Sequence, residues 1–355
     1  MSVPQKSIRV LIVEDTRTVA EFLAHILTSD PRIQVVDVAV NGEAAVEAAQ
    51  RLRPDVITMD VHMPKMNGFD ATRRIMELCP APIVIVCGAL TTDEVAINFQ
   101  AMEAGALAVV ARPAGPGHER HEATVKELVS TVKLMSEVRV VKRWPRQKSP
   151  VVSAATAPDI RRLAGEIQVV AIGASTGGPL ALQTVLAGLP RDFPFPLLIV
   201  QHMTPGFVQG FVEWLGRASG FAVRIAVNGE PILPGQAYIA PDDFHMGVRP
   251  DHRILLARDW QRSASGLCPS VSFLFGSVAE VFGCHAVGIL LTGMGRDGAD
   301  ELKRLRDAGA ITVAQDESSS VVHGMPGEAI QIGAAQHILP PQAIARTLVT
   351  MAGRS

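Results

Sequence analysis

The chain has 355 residues, enough for two domains that each bury about two thirds of their unfolded surface. It is 48% hydrophobic and 19% charged, which excludes a disordered chain. Its net charge of −2 excludes a global field suited to nucleic acid or an anionic membrane.

Only 5% of residues are aromatic, so the cores must be built from Val, Ile, Leu and Ala, as in parallel strands covered by helices on both faces. Strands are expected over residues 8–13, 35–40, 56–59, 83–87 and 108–111. Helices are expected over 16–29, 43–52 (starting near Asn41 or Gly42), 70–78, 92–103 and 122–136. Five strand–helix units imply a doubly wound parallel sheet in a first domain, residues 1–138. Residues 139–165 break the pattern with Arg139, Lys142, Arg143, Arg146, Lys148, Arg161 and Arg162 among prolines and small residues. They read as a basic, solvated interdomain linker, with a short helix near 158–164.

Alternation resumes in a second α/β domain, residues 166–355. Strands are expected at 169–172, 197–200, 223–227, 237–240, 254–257, 286–291 and 311–314. Helices are expected at 180–189, 207–218, 269–282, 298–308, 327–332 and 342–351, and residues 235–257 read as an antiparallel excursion. Cys79, Cys87, Cys268 and Cys284 form no CxxC pair and read as buried free thiols in a reducing compartment, with Cys87 and Cys284 in or beside buried elements. Residues 1–6 lack a signal-peptide core, and no apolar run reaches the roughly 18 residues of a membrane span. A cytoplasmic location without membrane insertion is the expectation.

Two places carry chemistry. In an open parallel sheet, ligands sit beyond the carboxyl ends of the strands. Glu14 and Asp15 follow the first strand and Asp60 follows the third. Three carboxylates held together repel unless a hard cation such as Mg²⁺ sits among them, and a carboxylate beside that ion can accept a phosphoryl group. The second place is Val169-Val170-Ala171-Ile172-Gly173-Ala174-Ser175-Thr176-Gly177-Gly178-Pro179. It reads as a buried strand, a tight turn presenting Ser175, and a helix opening on proline. The Gly-x-Ser-x-Gly spacing is that of a nucleophile elbow, although such loops also cradle phosphate or simply turn the chain.

A serine nucleophile needs a base, and the base needs an orienting acid. His202 ends the strand 197–200 and Gln201, at the same sheet edge as Ser175; His245 is the competitor. His25 falls inside a helix pattern, and His118 and His121 in a polar loop. Asp297 follows a further strand and the glycine-rich turn Thr292-Gly293-Met294-Gly295-Arg296, with Asp316 and Asp242 as weaker rivals. An aspartate there is also an ordinary helix N-cap. The order Ser, His, Asp differs from that of α/β-hydrolases. No Walker lysine follows Gly178, and no GxGxxG is present, which disfavours a nucleotide-binding module. A DNA-binding output domain is equally disfavoured, because the second half is too long and carries no basic recognition helix.

The segment Met59-Asp60-Val61-His62-Met63-Pro64-Lys65-Met66-Asn67-Gly68 resembles the phospho-acceptor segment of response-regulator receiver domains, and the likeness spans residues 7–135. It implies a flavodoxin-like fold, Asp60 as phospho-acceptor and Glu14, Asp15 and Asp60 as Mg²⁺ partners. Cys87 replaces the family's Ser or Thr, Arg112 its Lys, and Val109 its aromatic switch residue.

The second half carries Gly-Ala-Ser-Thr-Gly-Gly-Pro at 173–179, Gln-His-Met-Thr-Pro-Gly-Phe at 201–207 and Leu-Thr-Gly-Met-Gly-Arg-Asp-Gly-Ala at 291–299. Together they resemble the catalytic domain of the chemotaxis protein-glutamate methylesterases, the CheB family, from about 166 to 350. That resemblance implies hydrolysis of glutamate γ-methyl esters on methyl-accepting chemotaxis receptors, with glutamine deamidation by the same attack. A CheA-type histidine kinase would be the phosphodonor. It implies Ser175 as nucleophile, His202 as base and Asp297 as orienting acid, with backbone N–H groups near Thr176 and Met294 as oxyanion donors. Leu267-Cys268-Pro269-Ser270-Val271-Ser272 departs from the family, which usually has His-Arg before the proline and Asp in place of Ser272. The alternative reading is a receiver-containing signalling scaffold with weak or unregulated esterase activity.

Overall fold

The computed structural model describes residues 7–88, 99, 101–138, 140, 167–258 and 267–353. Residues 92–98 and 100 of the helix expected at 92–103, and the expected linker apart from residue 140, lie outside them. The chain divides into two compact units, Met1–Val151 and Val152–Ser355.

The first unit is a five-stranded parallel sheet in the order β2-β1-β3-β4-β5. Its strands are β1 (Ile8–Val13), β2 (Ile33–Ala39), β3 (Val56–Met59), β4 (Ile83–Cys87) and β5 (Ala108–Ala111). Helices α1 (Arg17–Thr28), α2 (Gly42–Leu52), α3 (Gly68–Leu78) and α4 (His121–Met135) connect or follow them. β3 and β4 are buried along their whole length, as strands covered on both faces must be. Asn41 Oδ1 accepts from Ala44 N at 3.0 Å and so starts α2; Asn67 Oδ1 does the same for α3 through Asp70 N at 2.9 Å. Gly68 packs so tightly on the Asp60 carbonyl that a Cβ would lie 2.2 Å from it. β1 and β3 pair with Val13 beside Met59, so Glu14 and Asp60 emerge side by side from the sheet.

The second unit is a seven-stranded parallel sheet in the order β14-β13-β12-β6-β7-β9-β8. These strands are β6 (Val169–Ala174), β7 (Leu197–Gln201), β8 (Val223–Ile225), β9 (Ala237–Ile239), β12 (Ala286–Leu290), β13 (Ile311–Gln315) and β14 (His337–Leu339). β10 (His245–Val248) and β11 (Ile254–Ala257) form a separate antiparallel pair. The helices are α5 (Gly178–Ala187), α6 (Val208–Ser219), α7 (Val271–Phe282), α8 (Ala299–Asp307), α9 (Met325–Gln331) and α10 (Pro341–Met351).

Three expectations need correction. The antiparallel excursion is shorter than residues 235–257, because Ala237–Ile239 joins the main sheet as a parallel strand between β7 and β8. The buried Tyr238 fixes it there, its hydroxyl donating to Pro231 O at 3.2 Å and accepting from Leu233 N at 3.0 Å. Cys284 is exposed, because it sits in a short 3-10 turn between α7 and β12. His121 opens α4 instead of lying in a loop, and its Nδ1 lies 2.6 Å from Ala114 O. The edge strand β14 was not expected; only three residues long, with Ile338 half exposed, it carries no readable alternation.

Candidate active site

The pairing β12–β6–β7 aligns three strand ends, with Leu290 beside Gly173 and Ala174 beside Gln201. Ser175, His202 and the 291–297 turn therefore leave the sheet at one edge. Ser175 N donates to Thr292 O at 3.0 Å, and Gly178 N donates to Ser175 O at 2.8 Å. Gly177 takes a left-handed conformation (φ 79°), after which Gly178 and Pro179 open α5. The turn is thus held by main-chain bonds, leaving the serine side chain free of structural duty.

Gln201, not identified from the sequence, fastens this turn to its neighbour. It is buried, and its Nε2 donates to both Ser175 O and His202 O at 2.8 Å. A Cβ on Gly178 would lie 2.0 Å from Gln201 Oε1. Gly178→Ala is therefore expected to push this amide out of place. It should cost about 1–3 kcal/mol of stability in thermal unfolding and lower the maximal rate with it. An unchanged melting temperature would show that the turn accommodates a methyl group. Gly293 is similarly required, since its Cβ would lie 2.7 Å from that of Ser175. Thr292 Oγ1 lies 2.9 Å from Thr176 O and accepts from Val322 N at 3.0 Å, tying the two loops together. Met294, just beyond, is half exposed at the rim.

His202 N donates to Ala174 O at 2.9 Å, and its side chain, 12% exposed, points Nε2 at Asp297 Oδ2, 3.0 Å away. His245 is not brought to this edge: it is fully buried in β10, with its ring stacked 5.1 Å from that of Phe273. Asp242 and Asp316 serve as turn acceptors, for Gly206 N at 2.8 Å and Ser319 N at 3.3 Å.

Asp297 does not cap the helix that follows it, because Gly298 (φ 85°) takes that position. Its carboxylate instead faces the N-terminus of α7, 27 residues upstream in sequence. Oδ1 accepts from Ser270 Oγ at 2.9 Å and Ser272 N at 3.2 Å; Oδ2 accepts from Val271 N at 2.7 Å as well as facing His202. Burial alone would raise the carboxyl's pKa. Bonds and charge from His202, with those from Ser272 and Val271, outweigh it and hold the group far below the usual carboxylate range. Ser272 Oγ accepts from Gly298 N at 2.9 Å, closing the link between α7 and the Asp297 loop. The segment that departs from the family motif thus builds the acid's support. A serine before an apolar helical run is readable as an N-cap, but its partner across the fold is not.

In the first unit, carboxylate oxygens of Glu14, Asp15 and Asp60 lie within 4.8 Å of one another. Burial and then the Asp60 charge raise the pKa of Glu14, and burial is the main cause that raises that of Asp60. Arg112 offsets this in part, with Nη2 3.2 Å from Glu14 Oε2 and 4.0 Å from Asp60 Oδ1. An all-oxygen cluster held against its own repulsion fits a hard divalent cation such as Mg²⁺. Cys87 is buried, its thiol 3.7 Å from Val110 O, and Val109 is half-buried on β5.

Residues 170–348 match the family model described as CheB methylesterase, and residues 10–122 match the response regulator receiver domain. The chain belongs to the CheB methylesterase family. It is a carboxylic ester hydrolase with a receiver domain in front. A protein-glutamate methylesterase/protein-glutamine glutaminase of Geobacter metallireducens is 54% identical over 97% of this chain and 99% of its own. One of Syntrophus aciditrophicus is 53% identical over 98% and 99%. The crystal structure of the Thermotoga maritima CheB methylesterase catalytic domain is 34% identical, with a TM-score of 0.50, and covers 52% of this chain and 98% of that one. Among the described residues no helix is long and apolar enough to cross a membrane.

Proposed function

We propose that this methylesterase removes γ-methyl groups from glutamates of chemoreceptors, with Ser175, His202 and Asp297 as its catalytic triad. The observation carrying this reading is the 3.0 Å contact between His202 Nε2 and Asp297 Oδ2 at the sheet edge where Ser175 emerges. Asp297 keeps the proton on Nε2, leaving Nδ1 as the base. That nitrogen takes the Ser175 proton as Oγ bonds to the ester carbonyl carbon. Its return to the leaving oxygen releases methanol and leaves a γ-glutamyl ester on Ser175. A water, deprotonated by the same nitrogen, then frees glutamate and regenerates the serine. Main-chain N–H groups of Thr176 and Met294 flank the reacting carbonyl, worth about 3–4 kcal/mol each as oxyanion donors. The same attack on a glutamine amide releases ammonia, in keeping with the second half of the relatives' names.

Asp60 is the phospho-acceptor, served by a CheA-type histidine kinase, and Glu14, Asp15 and Asp60 hold the Mg²⁺. Bound there, that ion would supply positive charge to offset these carboxylates and a phosphoryl group. Arg112 supplies the fixed positive charge beside Asp60, and its planar fork suits bidentate contact with a phosphoryl group. The test is methanol release from a methylated receptor fragment by the full chain, with and without a small phosphodonor. Asp60→Asn is expected to remove any stimulation while keeping the basal rate.

The same variant has a stability signature. Burial raises the folded pKa of Asp60, so its contribution to stability is fully present below the ordinary carboxylate range and is lost as pH rises through the folded value. Without Mg²⁺ at pH 7, Asp60→Asn is therefore expected to raise the melting temperature by about 2–5 °C. The gain should shrink at pH 4, and calorimetry in chelator across that range checks it.

A further inference from the structure

Ser270 lies outside the triad, yet it is built into the support of the triad's acid. It is fully buried, and its hydroxyl donates to Asp297 Oδ1 at 2.9 Å. The same oxygen accepts from Phe273 N at 3.4 Å, which caps α7 and fixes where the hydroxyl hydrogen points. Val271 N and Ser272 N join it in a cradle from one helical turn. The carboxylate is therefore bound as an anion at the helix's positive end. Ser270 and Ser272 both reach the carboxylate through their side chains, so substitution can delete these bonds one at a time.

We propose that Ser270 is a positioning residue of the esterase, acting through Asp297 to aim the carboxylate at His202 and to set how strongly that carboxylate holds the ring. The inference rests on the triad reading above. The geometry makes it specific. Oδ2 is shared between Val271 N and His202, so the carboxylate can swing away from the ring unless Oδ1 is pinned. Ser270 Oγ and Ser272 N both pin it, and Ser270 makes the shorter bond. Besides Asp297 and His202, the segment carries the ionisable Cys268 two positions before Ser270 in sequence, which burial and then the Asp243 charge keep protonated more firmly. Without the hydroxyl the carboxylate loosens its hold on the ring and favours the protonated imidazole less.

Full-length Ser270→Ala should show kcat for methanol release about 10-fold lower with KM nearly unchanged. The acid limb of its pH–rate profile should move to lower pH. Ser270→Thr, which keeps both hydrogen bonds, should recover most of the rate and return the acid limb. Loss of the cap alone would lower the melting temperature while leaving the acid limb in place; that result, or a wild-type kcat in Ser270→Ala, overturns the proposal. Asp297→Asn measured alongside separates the two readings. If it is inactive while Ser270→Ala is normal, only the positioning role fails. If it keeps full activity, the triad fails and the positioning role with it.

Discussion

Replacing Ser175 by alanine is expected to reduce methanol release by about 10⁵-fold or more while leaving the protein folded. The size follows from covalent catalysis: without Oγ the base has no nucleophile to activate, and only substrate binding and the oxyanion donors remain. The structural neutrality follows from the way the turn is held. Ser175 N donates to Thr292 O, and Ser175 O accepts from Gly178 N and Gln201 Nε2. All three are main-chain bonds of the serine, and alanine keeps them. The melting temperature should therefore stay within about 1–2 °C of wild type, as for a substitution that breaks none of the turn's contacts. Single-turnover assays on a methylated receptor fragment measure the rate, and calorimetry measures the fold. More than a few per cent residual activity would mean that another group attacks the ester.

The serine, histidine and aspartate were readable for a physical reason. In a parallel sheet covered on both faces, strands are continuous apolar runs, so the polar residue that ends each run stands out. Val169–Ala174, Leu197–Gln201 and Ala286–Leu290 are three such runs, and their adjacency puts the following residues together. Glu14 and Asp60 were readable in the same way from β1 and β3. The supports of these groups were not. Gln201 looked like the last polar step of a strand, and only the three-dimensional turn shows its amide joining Ser175 to His202. Ser270 and Asp297 sit 27 positions apart on different elements, and no local spacing encodes their bond. The parallel placement of Ala237–Ile239 was hidden too, because a three-residue strand carries no signal of which neighbour it pairs with.

The support of Asp297 makes the outcome of Asp297→Asn predictable in both rate and stability. Each carboxylate oxygen faces N–H donors: Ser272 N at Oδ1, Val271 N and His202 Nε2 at Oδ2. An asparagine must present its NH₂ to one side. Facing Oδ1's position, it opposes Ser272 N–H and the Ser270 hydroxyl hydrogen that donates there in the wild type. Facing Oδ2's position, it opposes Val271 N–H and invites His202 to turn an acceptor lone pair toward it. The proton then moves to Nδ1, the nitrogen that should act as base. The tautomer is wrong in that arrangement, and in the other a buried donor is left unpaired. We expect a loss of about 10⁴-fold in kcat, the scale of a triad whose acid becomes an amide. Unlike Ser175→Ala, the variant should also lose about 1–3 kcal/mol of stability for the opposed buried donors. The pH dependence has a definite sign. A carboxyl held far below its usual range stabilises the fold above that range and loses this contribution as pH falls through its folded value. The gap in melting temperature between wild type and Asp297→Asn should therefore be widest near neutrality and narrow in acid. A gap that stays constant with pH would mean that Asp297 is not the ionised anchor of His202.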